Sequence, residues 1–205
     1  MKSVANITKT EFIEKKSRFI GLVYHASTID QINHYLESVR TEYPNANHYT
    51  YAYILSDNIQ KYSDDGEPSR TAGFPILEVI KNNELNDCLV IVIRYFGGIM
   101  LGAGGLIRAY SHTAALAISL ADKTKKITTY YCKAVCDYDY LGNIDRIIRE
   151  NTLLEKIDYG QNVEFYFTLN EFNFEDIKNK LFNNHKFQEI LTVIEEKQEY
   201  VKIDY

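Results

Sequence analysis

The stretch Arg94-Tyr95-Phe96-Gly97-Gly98-Ile99-Met100-Leu101-Gly102-Ala103-Gly104-Gly105-Leu106-Ile107-Arg108-Ala109-Tyr110 holds five of the ten glycines in the chain. It follows the apolar run Cys88 to Ile93 and leads into an alanine-rich segment. A buried strand ending in an arginine, a glycine loop and a helix start let backbone approach backbone, or backbone approach an anion, with no Cβ in the way. Leu89 to Phe96 alternates too little to have one wet face, so it reads as the central strand of a sheet covered on both sides. The helix that follows, about Gly104 to Asp122, sets Leu106, Ala109, Tyr110, Thr113, Ala114, Ala117 and Leu120 on one stripe. Arg108 falls in its first turns, where the helix dipole disfavours a cation, and a nearby acid or bound anion would offset that cost.

Upstream, Tyr62-Ser63-Asp64-Asp65-Gly66-Glu67-Pro68-Ser69-Arg70-Thr71-Ala72-Gly73 reads as an irregular turn segment with three carboxylates in four positions. We expect this acid loop to meet the glycine loop. Before it, strands are expected at Val4 to Glu14, Phe19 to His25 and His48 to Leu55, with the basic turn Lys15-Lys16-Ser17-Arg18 between the first two. Thr28-Ile29-Asp30-Gln31 has the form of a capping box, and Ile29, Ile32, Leu36 and Val39 recur at helical spacing, predicting a helix from Ile29 to Glu42. Pro75 suits the first turn of a short helix from Gly73 to about Asn83.

The pattern breaks at Asp122-Lys123-Thr124-Lys125-Lys126, where a domain boundary is expected, giving domains 1–125 and 126–205. Beyond it the order is strand (Ile127 to Cys136), helix (Tyr140 to Asn151), strand (Leu153 to Tyr159), strand (Val163 to Leu169), helix (Phe174 to Asn184) and strand (Phe187 to Glu195). Gly160-Gln161-Asn162 turns the middle hairpin. This βαββαβ order is ferredoxin-like, so the fold class is α+β. Phe165 and Phe167 on the third strand are read as core, and that strand lacks the basic and glycine residues of an RNA-recognition signature.

With 205 residues, 45% hydrophobic and 25% charged, the composition is that of a globular chain. A net charge of -5 counts against a general polyanion binder. The deficit lies in residues 126–205, with 10 basic and 15 acidic side chains, whereas residues 1–125 carry 13 of each. Cys88, Cys132 and Cys136 sit in strand-like segments away from histidines and read as packed thiols. No charged-then-apolar leader and no run near ~18 apolar residues is seen, so a reduced, cytoplasmic protein is expected.

Together with Lys16-Ser17-Arg18-Phe19 and Ala46-Asn47-His48, the acid loop with Gly66-Glu67-Pro68 and the Arg94 to Tyr110 loop resemble the IMPACT/YigZ family. The resemblance implies an N-terminal α/β sandwich like the second domain of ribosomal protein S5, a ferredoxin-like C-terminal domain, and kinship with eukaryotic regulators of translation. It implies no catalytic activity. This chain departs from the bacterial pattern at Arg70, Met100 and Thr50, where glycine, lysine and a nearby cysteine are usual.

The leading expectation is therefore a non-enzymatic binding protein that meets RNA or a ribosomal or translation-machinery component, with no membrane role. Its binding residues would be His48, Asp64, Asp65, Gly66, Glu67, Arg94, Gly97, Gly98, Gly102, Gly104, Gly105 and Arg108. No cofactor is required, although the same groups suit a bound phosphate or a hydrated Mg²⁺. A second reading has the carboxylates and arginines pairing with each other to stitch the loops to the sheet. A third is a metal-dependent hydrolase using Asp64, Asp65, Glu67 and His48.

Overall fold

The computed structural model describes residues 1–56, 59–183 and 190–202. The chain divides into two compact units, Met1–Lys125 together with the chain from Tyr200, and Lys126–Glu199. The first contains β1 (Lys2–Val4), β2 (Thr8–Glu14), β3 (Ser17–His25), α1 (Ile29–Glu42), β4 (His48–Ile54), β5 (Gln60–Ser63), α2 (Gly73–Asn82), β6 (Cys88–Tyr95) and α3 (Gly102–Leu120). Strand β7 (Lys123–Cys136) follows, then α4 (Leu141–Asn151), β8 (Leu153–Tyr159), β9 (Val163–Asn170), α5 (Phe174–Asn183) and β10 (Leu191–Lys202).

An antiparallel sheet of order β2-β3-β6-β4-β5 organises the first unit. As the unbroken apolar run predicts, β6 lies at its centre and is buried along nearly all its length. Leu89, Ile91 and Ile93 pack with Ile32, Val39 and Tyr43 on the α1 side. Cys88, Val90 and Val92 pack with Ile76, Ile80, Leu106, Tyr110 and Ala114 on the α2 and α3 side. Helix α1 occupies the predicted range, with Thr28 capping the Gln31 amide. The Gln31 side chain closes the cap one residue earlier than a capping box requires, accepting from the Ser27 amide at 2.8 Å.

Several expectations need correction. The Val4 to Glu14 strand is two strands: β1 pairs with Lys123–Lys125, and β2 pairs with β3. Lys15 and Lys16 both have positive φ (44° and 65°), so a tight left-handed turn joins β2 to β3. Tyr62 and Ser63, read as irregular, end the edge strand β5, which gains its identity from pairing with β4. The polar break at Asp122 to Lys126 lies largely inside β7, where Thr124 and Ile127 are buried, Lys125 is exposed and the half-buried Lys123 donates to the Ile118 carbonyl. On α3 the buried stripe ends at Ala117 and Ile118, while Leu120, in the last turn, is exposed.

In the second unit, β7, β8, β9 and β10 form an antiparallel sheet of order β10-β7-β9-β8, the ferredoxin-like arrangement. One face carries Cys132, Ala134, Phe165 and Phe167, covered by Ile144 and Ile148 of α4 and by Ile177 and Leu181 of α5. The expected helix end at Asn184 and the strand start at Phe187 lie outside the described residues; from Leu191 the strand is present. No helix among the described residues is long and apolar enough to cross a membrane.

All three cysteines are buried and free. Burial pushes the Cys88 thiol up to about 12 and those of Cys132 and Cys136 up to about 11. Near about pH 8 the reactive thiolate is therefore scarce as well as inaccessible. A small thiol reagent should leave the native protein unlabelled and modify every cysteine once urea unfolds it; fast labelling of native protein would contradict this packing.

Candidate functional site

Phe19, Arg94 and His48 are register partners across three neighbouring strands, β3, β6 and β4. Side chains alternate along a strand, so Arg94 shares the α2/α3 face with Val90 and Val92. A guanidinium placed there must find an acid. The acid loop supplies it: the Glu67 amide donates to the Asp64 carbonyl at 3.0 Å, and Asp65 (φ 43°) and Gly66 (φ 87°) are both left-handed. That turn swings Glu67 inward until it is 8% exposed.

Glu67 Oε1 accepts from Arg94 Nη1 at 2.6 Å and from the Tyr110 hydroxyl at 2.7 Å. His48 Nε2 lies 3.7 Å from the same oxygen. His48 Nδ1 lies 2.8 Å from the Asp65 carbonyl, which only accepts, so the proton is assigned to Nδ1. Arg94 Nη2 donates to Ser17 Oγ at 3.3 Å, and the Gly97 amide donates to the same oxygen at 3.2 Å. The guanidinium also sits 5.4 Å from the ring centres of Phe19 and Phe96, while its Nε is buried without a hydrogen-bond partner among the described residues. Burial, and after it the Glu67 carboxylate, pushes the Tyr110 hydroxyl far above the usual phenol range.

The three carboxylates do not converge. Asp64 turns to α2, accepting from the amides of Gly73 (2.8 Å), Ala72 (3.1 Å) and Arg70 (2.8 Å), where a negative charge meets the positive helix end. Asp65 accepts from the Tyr49 amide at 2.6 Å and from Arg40 Nη2 at 3.1 Å. Only Glu67 and His48 approach each other. Among the described residues, no group of three or more His, Cys, Asp or Glu side chains is arranged to hold a metal. The geometry thus gives the hydrolase alternative no metal cluster.

The glycine loop divides by role. A Cβ on Gly97 would stand 2.0 Å from the Lys16 carbonyl carbon, so this glycine lets the loop lie against the β2–β3 turn. Asn47 fixes the start of the loop, its side-chain oxygen accepting from the Phe96 amide at 2.7 Å. Gly98 (φ 84°) and Gly102 (φ 70°) have positive φ and face open space. Gly104 lies beneath Arg108, whose Nη1 is 3.6 Å from where a Cβ would be. Gly105 packs by Leu101. Helix α3 begins with no side-chain cap and no acid in its first turn. Arg108 is exposed and, among the described residues, pairs with no carboxylate. In the loop that precedes α3, Phe96, Ile99 and Met100 are exposed.

Sequence reasoning therefore found Glu67, Arg94 and His48 but missed Ser17 and Tyr110 as their partners, and Arg40 as the partner of Asp65. Tyr110 was legible only as core; the signal was a hydroxyl on an otherwise apolar stripe. The three departures are also accounted for. Arg70 (φ 61°) holds a left-handed position that glycine takes without strain, and its guanidinium lies 4.1 Å from the Phe74 ring centre. Met100 is 86% exposed, and Thr50 is buried with its hydroxyl on the Val92 carbonyl.

This arrangement defines a two-unit α+β protein whose N-terminal sheet is closed at one end by an acid loop and a glycine loop. The family model for the Impact N-terminal domain matches residues 15–118, from the β2–β3 turn to the last turn of α3. The chain is 41% identical over 158 residues to the IMPACT family member YvyE of Bacillus subtilis, covering 76% of this chain and 73% of that protein. It is 35% identical over 148 residues to the IMPACT family member YigZ of Escherichia coli, covering 70% and 72%. A crystal structure described as a hypothetical protein is similar at 27% identity with a TM-score of 0.60, covering 99% of this chain and 97% of the other. The chain belongs to the IMPACT family.

Two stability predictions follow from this geometry. Arg94→Ala leaves Glu67 buried without its cation, with only the Tyr110 hydrogen bond and the longer approach of His48, and should cost on the order of 3 kcal/mol in urea unfolding, against about 1 kcal/mol for Tyr110→Phe. A loss for Arg94→Ala below that of Tyr110→Phe would show that the pair does not hold the loops. At the left-handed position, Arg70→Gly should be more stable than Arg70→Ala by about 1 kcal/mol, since both lose the Phe74 contact and only glycine relieves the strain.

Proposed function

We propose that the N-terminal unit is a non-catalytic binding module that meets RNA, or an RNA-containing component of the translation machinery, on the outer surface of the glycine loop. The observation that carries this reading is the exposed Arg108, which pairs with no carboxylate among the described residues and lies back over the uncapped start of α3. A cation there is disfavoured by the helix dipole, and no acid in the first turn offsets it. A phosphate group would accept from both the amides and the guanidinium.

Two further features support it. The exposed Lys15-Lys16 turn lies against Gly97, so its positive charge borders the same loop. Phe96 is 46% exposed and offers a ring on which an unstacked base can rest. Glu14, beside that turn, is the nearby carboxylate of β2 and reduces the local charge without pairing with Arg108. Membership in the IMPACT family, whose eukaryotic members regulate translation, favours a translation-linked partner over an unrelated polyanion. In this reading the acid loop organises the site from within, and the anion bound is a backbone phosphate with no resident metal.

The test is titration of a short single-stranded RNA, and of ribosomes, at two salt concentrations. Arg108→Gln and Lys16→Gln should each weaken association several-fold and lower the log–log salt slope by about 0.7, the share of one phosphate contact on a single strand. Their unfolding free energies should stay within about 0.5 kcal/mol of the parent. Unchanged association in both variants would overturn the reading.

A further inference from the structure

We propose that the open face of the second unit's sheet docks an extended Lys/Arg-rich segment of another protein. One face of that sheet is covered by α4 and α5, and among the described residues the other carries no helix of its own unit. On the open face Tyr131 and Tyr166 stack with ring centres 6.4 Å apart. Next to them Glu155, Glu195 and Glu199, with Lys197, line a shallow depression of about 320 Å³.

Charge on this face is not uniformly cancelled. Glu164 is paired with Lys133 at 2.7 Å and Asp158 with Lys156 at 2.6 Å, and both cations also stand over the Tyr166 ring. Around the depression the pattern changes. Glu199 accepts from the Thr129 hydroxyl at 2.7 Å and Glu155 from the Thr168 hydroxyl, neutral donors that orient a carboxylate without neutralising it. Among the described residues Glu195 has no basic partner and Lys197 no acidic one.

Charge complementarity then selects the occupant. Carboxylates fixed at one edge suit the fork of a guanidinium, and the Tyr131 ring that lines the depression beside them suits its flat cation. Phosphates would be repelled, which removes the nucleic-acid role of many sheets with this strand order. A second copy would present the same acidic face and is disfavoured for the same reason.

The experiment uses the full chain and a fluorescent, roughly 12-residue Arg/Lys-rich peptide, with a charge-reversed acidic peptide and a short single-stranded RNA as the other arms. The basic peptide should bind saturably and the acidic one should not. Replacing Glu155, Glu195 and Glu199 together by Gln should weaken the peptide at least about tenfold, whereas Lys197→Glu should tighten it, a gain that misfolding cannot produce. Neutralising Asp139, Glu150 and Glu175 instead changes net charge equally and should leave binding intact. RNA association through the N-terminal unit should be indifferent to all of these changes, which separates failure of this proposal from failure of that one. No saturable binding, an equal loss in the control variant, or RNA displaced by the Lys197→Glu change would each overturn it.

Discussion

The buried pair of Glu67 and Arg94 is the constraint on which the site end of the first unit depends. Arg94 continues the alternation of a fully covered strand, so its guanidinium has no route to water and needs an anion inside the protein. Desolvating two ions costs several kcal/mol, and their attraction repays this only with good geometry and further hydrogen bonds. Tyr110 adds one such bond to the carboxylate and Ser17 one to the guanidinium. Four separate segments are thereby held to one oxygen and one cation: the acid loop, the end of β6, the third turn of α3 and the start of β3. The pair fixes which conformation these segments take more than it adds to the total stability.

The neighbouring carboxylates show how one short loop serves three structural needs. Asp64 satisfies amides at the start of α2 that no intrahelical carbonyl can reach. Asp65 joins the Tyr49 amide, near the start of β4, to Arg40 at the end of α1. Because Asp65 and Gly66 are both left-handed, the carboxylates fan out toward three different elements.

That fan explains what the sequence could and could not reveal. Strand β6 and helix α1 were legible because apolar periodicity is a local signal, and the second unit's strand order followed from the same signal repeated. The edge strand β5 was not, since a four-residue polar strand exists only through its pairing with β4. Nor was the separation of Asp64, Asp65 and Glu67: adjacency in sequence suggested one charged cluster, whereas two consecutive positive φ angles decide the outcome. The meeting of acid loop and glycine loop was anticipated, but its agents, Ser17 and Tyr110, looked like a turn residue and a core residue. Their roles depend on contacts between residues far apart in the chain, which no window of sequence displays.

Arg94 and Arg108 flank one glycine loop and have opposite fates, and this bears on how charge should be counted in this protein. Arg94 is neutralised within about one ion diameter by Glu67, so it adds little field outside the protein. Arg108 stands exposed over the positive end of a 19-residue helix, where its charge and the dipole add. In the second unit the reverse holds, for Lys133 and Lys156 are spent on Glu164 and Asp158 while the glutamates lining the depression keep their charge. The net charge of -5 therefore describes neither surface. What a partner meets is set by the charges each unit leaves uncompensated, which are basic on the glycine-loop surface and acidic on the open sheet.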